Sequence, residues 1–443
     1  MFIRDDRVSP LASFVRPRLP RENVMSDDTR LMDPQFWRQP LAARMQEFIP
    51  IREAGPFARA SFSNMLTGEI EAFDVVTRFA ELVEISKRPK EFCSGKGAVA
   101  VPDLPEEALE FFGSFINMDD PRHARQRAIV GRSFTPRQLQ GVLESVDTIC
   151  TEVIDGFCED GEADLVKVLS QPFPLLVICD MMGIPRSEFD TVLTATNVVL
   201  GGGDPEFMGD GDPLMAMFNA GMSLTNLMNE IAEDRRVHPT DDLTSKLVHN
   251  DVGEEMLAPN EIAPFFILLA VAGNDTTRTA ISHGVDLLSK NPEQRQIWMD
   301  DLEAMTPSAV EEIVRVASPV TFMRRTATTD VTVSDHDFRE GDTVVLLYGV
   351  ANRDPRVFDR PEQFDVTRSP NLHVGFGGPG PHFCLGAHLA RRELSVAFRQ
   401  LLTRLPDLEL AGEPVPLDAM GMPLVGGIKR LPVKFTPTAP IGT

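Results

Sequence analysis

Cys384 stands in a segment whose residues suit a cofactor-binding thiolate better than a structural thiol. The stretch from His373 to Glu393 reads HVGFGGPGPHFCLGAHLARRE. Its glycines allow the backbone to turn tightly and to direct N–H groups inward; they are Gly375, Gly377, Gly378 and Gly380. A helical pattern begins at Leu385, so Cys384 is predicted to lie at a helix N-terminus. There the helix dipole and the free N–H groups favour a thiolate.

Two other interpretations of Cys384 remain open at this point. A single cysteine among apolar residues is often only a small buried hydrophobic residue. His382, Cys384 and His388 also form an H-x-C-x3-H pattern that could bind zinc. Structural zinc sites have four ligands, usually with a second cysteine pair. The sequence has no such pair, which disfavours zinc.

A second polar group lies within a long apolar helix that the pattern predicts over residues 261–290. The segment is apolar on nearly all sides before residue 272, and Gly273, Asp275, Thr276 and Thr277 then interrupt this pattern. A buried acid is unfavourable unless it is paired or used. Thr276 is placed to donate to the carbonyl of Ala272, one turn earlier. Gly273 leaves space for a small ligand, although a kinked helix with an accidental polar turn is the alternative.

Two further pairs are weak signals when taken singly. Glu312 and Arg315 lie three positions apart on a predicted helix and therefore face the same way. His123 and Arg127 are one helical turn apart, and Arg325 opens a predicted strand region. Arginine is well suited to bind carboxylates in bidentate fashion. Each of these residues could also be an ordinary surface charge.

Composition limits the classes of function. The chain has 443 residues, of which 42% are hydrophobic and 25% charged, with a net charge of −23. The negative charge argues against nucleic acid as a partner. The five cysteines lack the spacing of a disulfide framework, and neither a signal peptide nor a membrane-spanning run is recognisable. A cytoplasmic protein is therefore expected.

The pattern along the chain predicts a mainly α fold with small β-sheets in a single large domain. Residues 1–30 are expected to form an irregular extension and residues 31–443 the domain. A small sheet is predicted over 55–78, helices from 106 to about 290, strands over 320–350, and loops with short strands over 407–436. The stretch GGGDPEFMGDGDP, residues 201–213, is predicted to be a flexible loop at the edge of a lid that spans about 190–215.

Taken together, these motifs resemble those of the cytochrome P450 family of haem-thiolate monooxygenases. The resemblance extends from about residue 31 to residue 436. Its motifs follow the family order: H-x3-R at 123–127, AGNDTT at 272–277, E-x-x-R at 312–315, and the cysteine loop at 376–386. All four in this order make coincidence negligible.

The resemblance implies a role for each matching residue. Cys384 would be the thiolate ligand of the iron of haem b. Asp275 and Thr276 would carry protons towards the oxygen-binding side of the haem, beside a groove left by Gly273 and Ala272. The haem propionates and ring would be held by His123, Arg127, Arg325, His382, Phe376 and Gly386. A buried ion-pair network around the cysteine loop would consist of Glu312, Arg315 and Arg368.

One departure from the family pattern points to a subgroup. The commoner loop, F-G-x-G-x-H-x-C, places cysteine seven positions after phenylalanine, whereas Cys384 follows Phe376 by eight. With AGNDTTR, ASPVTFMRRTAT and GGIKRLPV, this loop resembles the bacterial group that oxidises the terminal methyl carbon of steroid side chains and methyl-branched lipids. A terpenoid or a fatty acid is the alternative substrate. Residues predicted to face the substrate, or to be plain core, are Phe265, Phe266, Leu269, Val320, Phe322, Met323, Met422 and Leu424.

The family also implies partners. Dioxygen and a lipophilic small molecule would be substrates, and electrons from NAD(P)H would arrive through a ferredoxin and its reductase. A basic patch is predicted to steer an acidic donor; it comprises Arg122, Arg125, Arg127, Arg132, Arg137, Arg391 and Arg392. A peroxygenase that uses peroxide directly is disfavoured by the acid–alcohol pair. A haem- or lipid-binding protein without turnover is the remaining alternative.

Overall fold

A computed structural model describes residues 29–63, 69–103, 114–135, 140–200, 204–208, 212–249, 256–419 and 421–442. The predicted extension, residues 1–30, therefore lies almost entirely outside the described residues, as do residues 106–113 of the predicted helical region. Within the described ranges, no helix combines the length and the apolar character that a membrane crossing requires.

Helices make up most of the described chain, as predicted. They run Pro34–Arg38 (α1), Leu41–Ala54 (α2), Phe79–Ser86 (α3), Arg122–Ser133 (α4), Gln140–Asp155 (α5), Pro172–Met182 (α6), Phe189–Leu200 (α7), Pro205–Met208 (α8), Pro213–Val237 (α9), Leu243–Val248 (α10), Pro259–Lys290 (α11), Pro292–Asp300 (α12), Leu302–Ala317 (α13), Tyr348–Ala351 (α14) and Ala387–Arg404 (α15).

Short strands form small sheets at the side of the helices. They run Phe57–Ser63 (β1), Ile70–Val76 (β2), Phe92–Cys93 (β3), Glu162–Asp164 (β4), Phe322–Ala327 (β5), Val331–Val333 (β6), His336–Phe338 (β7), Thr343–Leu347 (β8), Glu409–Leu410 (β9), Val415–Pro416 (β10), Ile428–Arg430 (β11) and Pro432–Lys434 (β12). The largest sheet has the order β1-β2-β8-β5-β3, with β2 and β8 parallel and the other pairs antiparallel. A second sheet has the order β4-β12-β9, and β6-β7 and β10-β11 are separate pairs.

Helix α11 is the central element of the fold. It begins with Pro259 at its first position, where no intrahelical donor is needed, and Glu261 accepts a hydrogen bond from the Ala258 N–H at 2.7 Å. The helix packs against α6, α9, α13 and α15. It continues through Gly273 and Thr277 without a break, so the polar turn interrupts the apolar pattern but not the helix.

Of the predicted lid edge, residues 201–213, the structure describes only residues 204–208 and 212–213, and the remainder of this prediction lies outside the described residues. The described part includes α8, and two residues there form ion pairs with β11. Asp204 is fully buried and accepts a hydrogen bond from Lys429 Nζ at 2.8 Å. Glu206 accepts two hydrogen bonds from Arg430, at 2.8 and 2.7 Å. Charged partners distant in sequence therefore hold Asp204 and Glu206 in place, which the local Gly-rich composition does not reveal.

Candidate active site and cofactor cavity

The loop before Cys384 is held against the end of α3. The Cys384 N–H donates to the Phe376 carbonyl at 2.9 Å. Gly377 has a φ of +90°, which favours glycine, and a Cβ on Gly380 would lie 2.3 Å from the Ser86 carbonyl oxygen. The loop therefore needs glycine both for a left-handed turn and for close approach to α3. Helix α15 begins three residues after the cysteine, close to the predicted position.

A cavity of about 210 Å³ lies between this loop and α11. Most of the predicted catalytic and cofactor-binding residues line it: Ala272, Gly273, Thr276, Arg127, Arg325, Phe376, His382, Cys384 and Gly386. Asp275 and His123 are not in its wall. His123 instead contacts the ring of His382, with 4.2 Å between the ring centroids. Segments far apart in sequence thus converge on one space.

The polar side chains at this cavity suit an anionic group. Arg325 is 6% exposed and donates a hydrogen bond to the Arg324 carbonyl; within the described ranges it has no ion-pair partner. His123 is buried, and its Nε2 has no hydrogen-bond partner. Burial, together with the charges of Arg325 and Arg127 and the neighbouring His123, lowers the pKa of His382 to about 2. These groups fit the two propionates of haem b, which would supply the missing negative charge.

The thiol of Cys384 also fits a metal ligand. Burial raises its pKa, although the Gly386 N–H, Arg127 and Arg391 act in the opposite direction. The predicted effect of the helix N-terminus is therefore present but smaller than that of burial. A directly bound cation such as haem iron is what stabilises a buried thiolate.

The polar turn of α11 has the predicted internal hydrogen bond. Thr276 Oγ1 donates to the Ala272 carbonyl at 2.7 Å. Asp275 is 1% exposed and forms an ion pair with Arg278 at 3.2 Å, while its Oδ2 atom has no hydrogen-bond partner. Burial raises the pKa of Asp275, and Arg278 partly opposes this. Gly273 permits close approach of α6, because a Cβ there would lie 2.8 Å from Ile178 Cδ1.

The cavity contains one acidic residue that the sequence analysis did not select. Glu393 is 2% exposed, lines the cavity and accepts a hydrogen bond from Thr277 Oγ1 at 3.1 Å. Burial raises its pKa from 4.5 to about 8, so this carboxyl group carries a proton at neutral pH. Glu393 interrupts the apolar stripe of α15 between Leu389 and Ala397, and this interruption was the available signal.

The Glu312 network is present and buried. Glu312 accepts hydrogen bonds from Arg315 at 2.7 and 2.8 Å and from Arg368 Nε at 3.1 Å. The Asn371 side chain and the Asp365 N–H add two more donors, at 3.0 and 2.9 Å. Glu312 and Arg315 have no exposed side-chain surface. The network thus joins α13 to the segment that leads into the cysteine loop.

Comparison with known proteins identifies the family. The family model described as Cytochrome P450 matches residues 214–425. The chain is 42% identical over 426 residues to a methyl-branched lipid omega-hydroxylase of Mycobacterium tuberculosis, covering 94% of this chain and 97% of that protein. The chain belongs to the cytochrome P450 family.

Two further relatives of this P450 support the assignment. A steroid C26-monooxygenase of Mycolicibacterium smegmatis is 36% identical, over 82% of this chain and 83% of that protein. A Mycobacterium marinum cytochrome P450 solved in complex with pseudoionone has a TM-score of 0.85 and 36% identity, over 92% of this chain and 99% of that chain. The protein is therefore a haem-dependent monooxygenase that requires dioxygen, electron donors and a lipophilic substrate.

The structure brings only part of the predicted substrate-facing set to the cavity of the P450. Leu269, Val320 and Met323 line it. Phe265 lies one layer behind, against Phe115 and Phe134, with ring centroids 6.2 and 6.4 Å away. The remaining four are core residues away from the cavity: Phe266, Phe322, Met422 and Leu424.

Strand periodicity explains part of this division. Side chains alternate along a strand, so Met323 and Arg325 face the cavity whereas Phe322 packs in the core with Met422 and Leu424. Wall residues that the sequence analysis missed come mainly from other elements: Phe115, Ile116, Phe134, Ile178, Met181, Pro319 and Tyr348. Periodicity within one segment carries no information about which distant segments complete the wall.

Most arginines of the predicted basic patch are already paired. Arg125 donates to Glu261 at 2.9 and 3.1 Å, and Arg391 and Arg392 form ion pairs with Glu311 and Asp147. Arg127 donates to the Phe383 carbonyl and lines the cavity. Arg132 is engaged as well, Arg122 is exposed, and Arg137 lies outside the described residues. The patch as predicted therefore carries much less free charge than its composition indicates.

Proposed function

We propose that this P450 hydroxylates the terminal methyl carbon of a methyl-branched lipid or of a steroid side chain. The observation that carries the proposal is the apolar wall that α6, α11 and β5 provide around the space beside Cys384. Ile178, Leu269, Val320 and Met323 contribute to this wall. Such a wall favours a hydrocarbon end over a polar head group. The names of the two curated relatives support the same class of substrate.

The overall reaction balances for a two-electron donor. A terminal methyl group, dioxygen, NAD(P)H and one proton give the primary alcohol, water and NAD(P)⁺. The bound haem supplies the activation of dioxygen. The chain supplies the binding of substrate, and its side chains relay from solution the two protons that leave as water.

Proton delivery is assigned to the polar turn of α11. The Thr276 hydroxyl donates a hydrogen bond to the Ala272 carbonyl, so its lone pairs are available to accept a hydrogen bond from water in the cavity. The buried Asp275, whose pKa burial raises, can hold a proton at its unpartnered Oδ2 atom. An acid next to an alcohol is a suitable arrangement for proton transfer.

Cofactor binding is assigned to the residues around the cavity. Cys384 would bind the iron, and Phe376 and Gly386 would contact the ring. His123, Arg127, Arg325 and His382 would hold the propionates, because the buried Arg325 guanidinium has no ion-pair partner within the described ranges and His123 Nε2 has no hydrogen-bond partner there. Glu312, Arg315 and Arg368 would keep the preceding segment rigid.

Product regiochemistry tests the substrate proposal. Wild-type protein with NAD(P)H, ferredoxin and ferredoxin reductase would be given a methyl-branched fatty acid, its straight-chain counterpart of equal length, and a steroid with a saturated branched side chain. We expect the branched compounds to yield mainly the terminal alcohol by mass spectrometry. Oxidation mainly at internal carbons, or a clear preference for the straight chain, would contradict the proposal.

We propose a ferredoxin as the donor, docking on a surface that keeps Arg122 of the predicted patch and adds Lys87 and Lys96. Lys87, Lys96 and Arg122 are exposed. Lys87 follows Ser86, which contacts the cysteine loop, and Phe383, next to Cys384, is 40% exposed. Exposed cations, together with an exposed apolar side chain next to Cys384, suit an acidic redox protein.

Charge substitution tests this docking surface. Lys87→Gln and Arg122→Gln should each raise the ferredoxin concentration needed for half-maximal turnover and weaken its dependence on salt. Arg236→Gln, on α9, is the control and should have no effect. Equal behaviour of all three variants would contradict the assigned surface.

A further inference from the structure

Glu311 binds two residues that flank the cysteine loop. Its carboxylate accepts hydrogen bonds from Arg391 Nε at 2.5 Å and from a terminal nitrogen of the same guanidinium at 3.0 Å. The pair joins α13 to α15. Arg391 also lies over Phe376, with its Cζ atom 4.3 Å from the ring centroid. This distance is well within the range of a cation–π contact.

The other partner of Glu311 is His373. His373 Nε2 lies 2.8 Å from Glu311 Oε2, and its side chain is 2% exposed. The Gly375 N–H donates to His373 Nδ1 at 3.1 Å. Nδ1 is therefore an acceptor and Nε2 carries the hydrogen that is donated to Glu311. Glu311 thus fixes the start of the loop through His373 and its far side through Arg391.

The contact of Glu311 with Arg391 leads to Cys384. Phe376, beneath the Arg391 guanidinium, accepts the hydrogen bond from the Cys384 N–H at 2.9 Å. Burial opposes ionisation of Glu311, but hydrogen bonds from His373 and Arg391 hold the pKa of Glu311 at about 2. The carboxylate is therefore ionised throughout the range in which the protein works.

We infer that Glu311 is a positioning residue that holds the Arg391 guanidinium on Phe376 and so keeps a positive charge beside the Cys384 thiolate. This charge stabilises the additional electron when the haem is reduced. The inference rests on the proposed role of Cys384 as haem ligand. Glu311 itself lies outside the cavity wall and acts only through Arg391 and His373.

The neighbouring arginine offers a matched control. Arg392 is exposed to the same extent as Arg391, with side-chain values of 35% and 34%, and it forms an ion pair with Asp147 on α5. No ring contact of Arg392 with Phe376 exists among the described residues. Asp147→Ala therefore removes a carboxylate from an equivalent arginine without affecting the cysteine loop.

The direction in which the haem reduction equilibrium shifts distinguishes two roles for Glu311: positioning of Arg391, or an effect of its own negative charge. Arg391→Gln removes the positive charge and should disfavour reduction. Glu311→Ala should also disfavour reduction, because the guanidinium of Arg391, without its partner, would turn into solvent. If Glu311 acted only through its own negative charge, its removal would favour reduction instead. The expected decrease in the reduction equilibrium constant is about threefold or more, or about 28 mV for a one-electron couple.

The experiment is a spectroelectrochemical titration of the holoprotein with redox dyes. We expect Glu311→Ala and Arg391→Gln to give similar decreases, their double variant to give no further decrease, and Asp147→Ala to match wild type. Should Glu311→Ala fail to retain haem, Glu311→Gln, which keeps the side-chain shape, is measured in its place. An increase on removal of Glu311, additive effects in the double variant, or an equal decrease for Asp147→Ala would overturn the inference.

The carbon monoxide spectrum separates this inference from the proposed function. Wild-type protein without the long-wavelength Soret band of a thiolate ligand would refute the role of Cys384 itself. A normal wild-type band, together with an unchanged haem reduction equilibrium constant in the Glu311 variant, would refute only the positioning role of Glu311.

Discussion

Substitution of the buried Glu393 by glutamine should change how the stability of the protein depends on pH. Burial raises the pKa of Glu393 from 4.5 to about 8, and the hydrogen bond from Thr277 only partly opposes this. The folded protein therefore retains a proton that the unfolded chain releases between these two values. The stability that this proton confers is complete below pH 4.5 and is lost as the pH rises through 8.

The size of the effect follows from the difference between the two pKa values. At about 1.36 kcal/mol per pH unit, ionising Glu393 in the folded protein is unfavourable by about 5 kcal/mol. Most of this difference develops between pH 5 and pH 8. Over this range the free energy of unfolding of wild type should fall by on the order of 3 to 4 kcal/mol relative to that of Glu393→Gln. The variant cannot ionise at this position, and its stability should not decline for this reason.

Infrared spectroscopy measures the protonation of Glu393, and thermal unfolding measures the stability that depends on it. A protonated carboxyl C=O band should disappear near pH 8 in wild type and be absent from Glu393→Gln. The unfolding temperature of wild type should fall relative to the variant between pH 5 and pH 8. Glu413→Gln, at an exposed position, is the control and should follow wild type. A band that titrates near pH 4.5, or parallel stability profiles for wild type and Glu393→Gln, would refute the reasoning.

Further predictions concern the proton path, the buried network and the lid. Thr276→Ala should consume NAD(P)H with less alcohol and more peroxide formed, and an unchanged ratio of product to NAD(P)H would contradict the proton role. Glu312→Ala should yield little holoprotein, since leaving Arg315 buried without its partner is unfavourable by about 3–5 kcal/mol; normal haem incorporation would argue against the network. Lys429→Met removes the cation that Asp204, Glu206 and Asp418 share. Cleavage by protease between α7 and α9 should therefore become faster, whereas an unchanged rate would show that the ion pairs do not hold this segment.

The sequence pattern predicted the fold class and the contacts within each motif because these features are local, whereas the convergence of the motifs on one site was implied by the resemblance to the cytochrome P450 family. The Thr276 hydrogen bond to Ala272 needs only helical spacing, and the Glu312–Arg315 pair needs only the same face of a helix. The glycines before Cys384 likewise indicate a tight loop from their own composition. These features depend on short-range geometry that the order of residues contains.

What the sequence did not reveal depends on contacts between distant segments. Burial of Glu393 is set by packing of α15 against α11, and the wall formed by Ile178 and Met181 is set by the approach of α6 to Gly273. The charge of the predicted patch is largely neutralised by partners such as Glu311, which is 80 positions from Arg391. Pairing over such distances is a property of the tertiary structure, so residue type alone overstated the free charge.

The most direct test of the central claim is the absorption spectrum of the reduced protein with carbon monoxide, measured for wild type and Cys384→Ala. Wild type should show the long-wavelength Soret band of a haem with a thiolate ligand, and the variant should lack it. Cys93→Ala, at a half-buried cysteine outside the cavity, is the control and should match wild type. A wild-type spectrum without that band, or a Cys384→Ala spectrum that retains it, would contradict the assignment of Cys384 as the iron ligand.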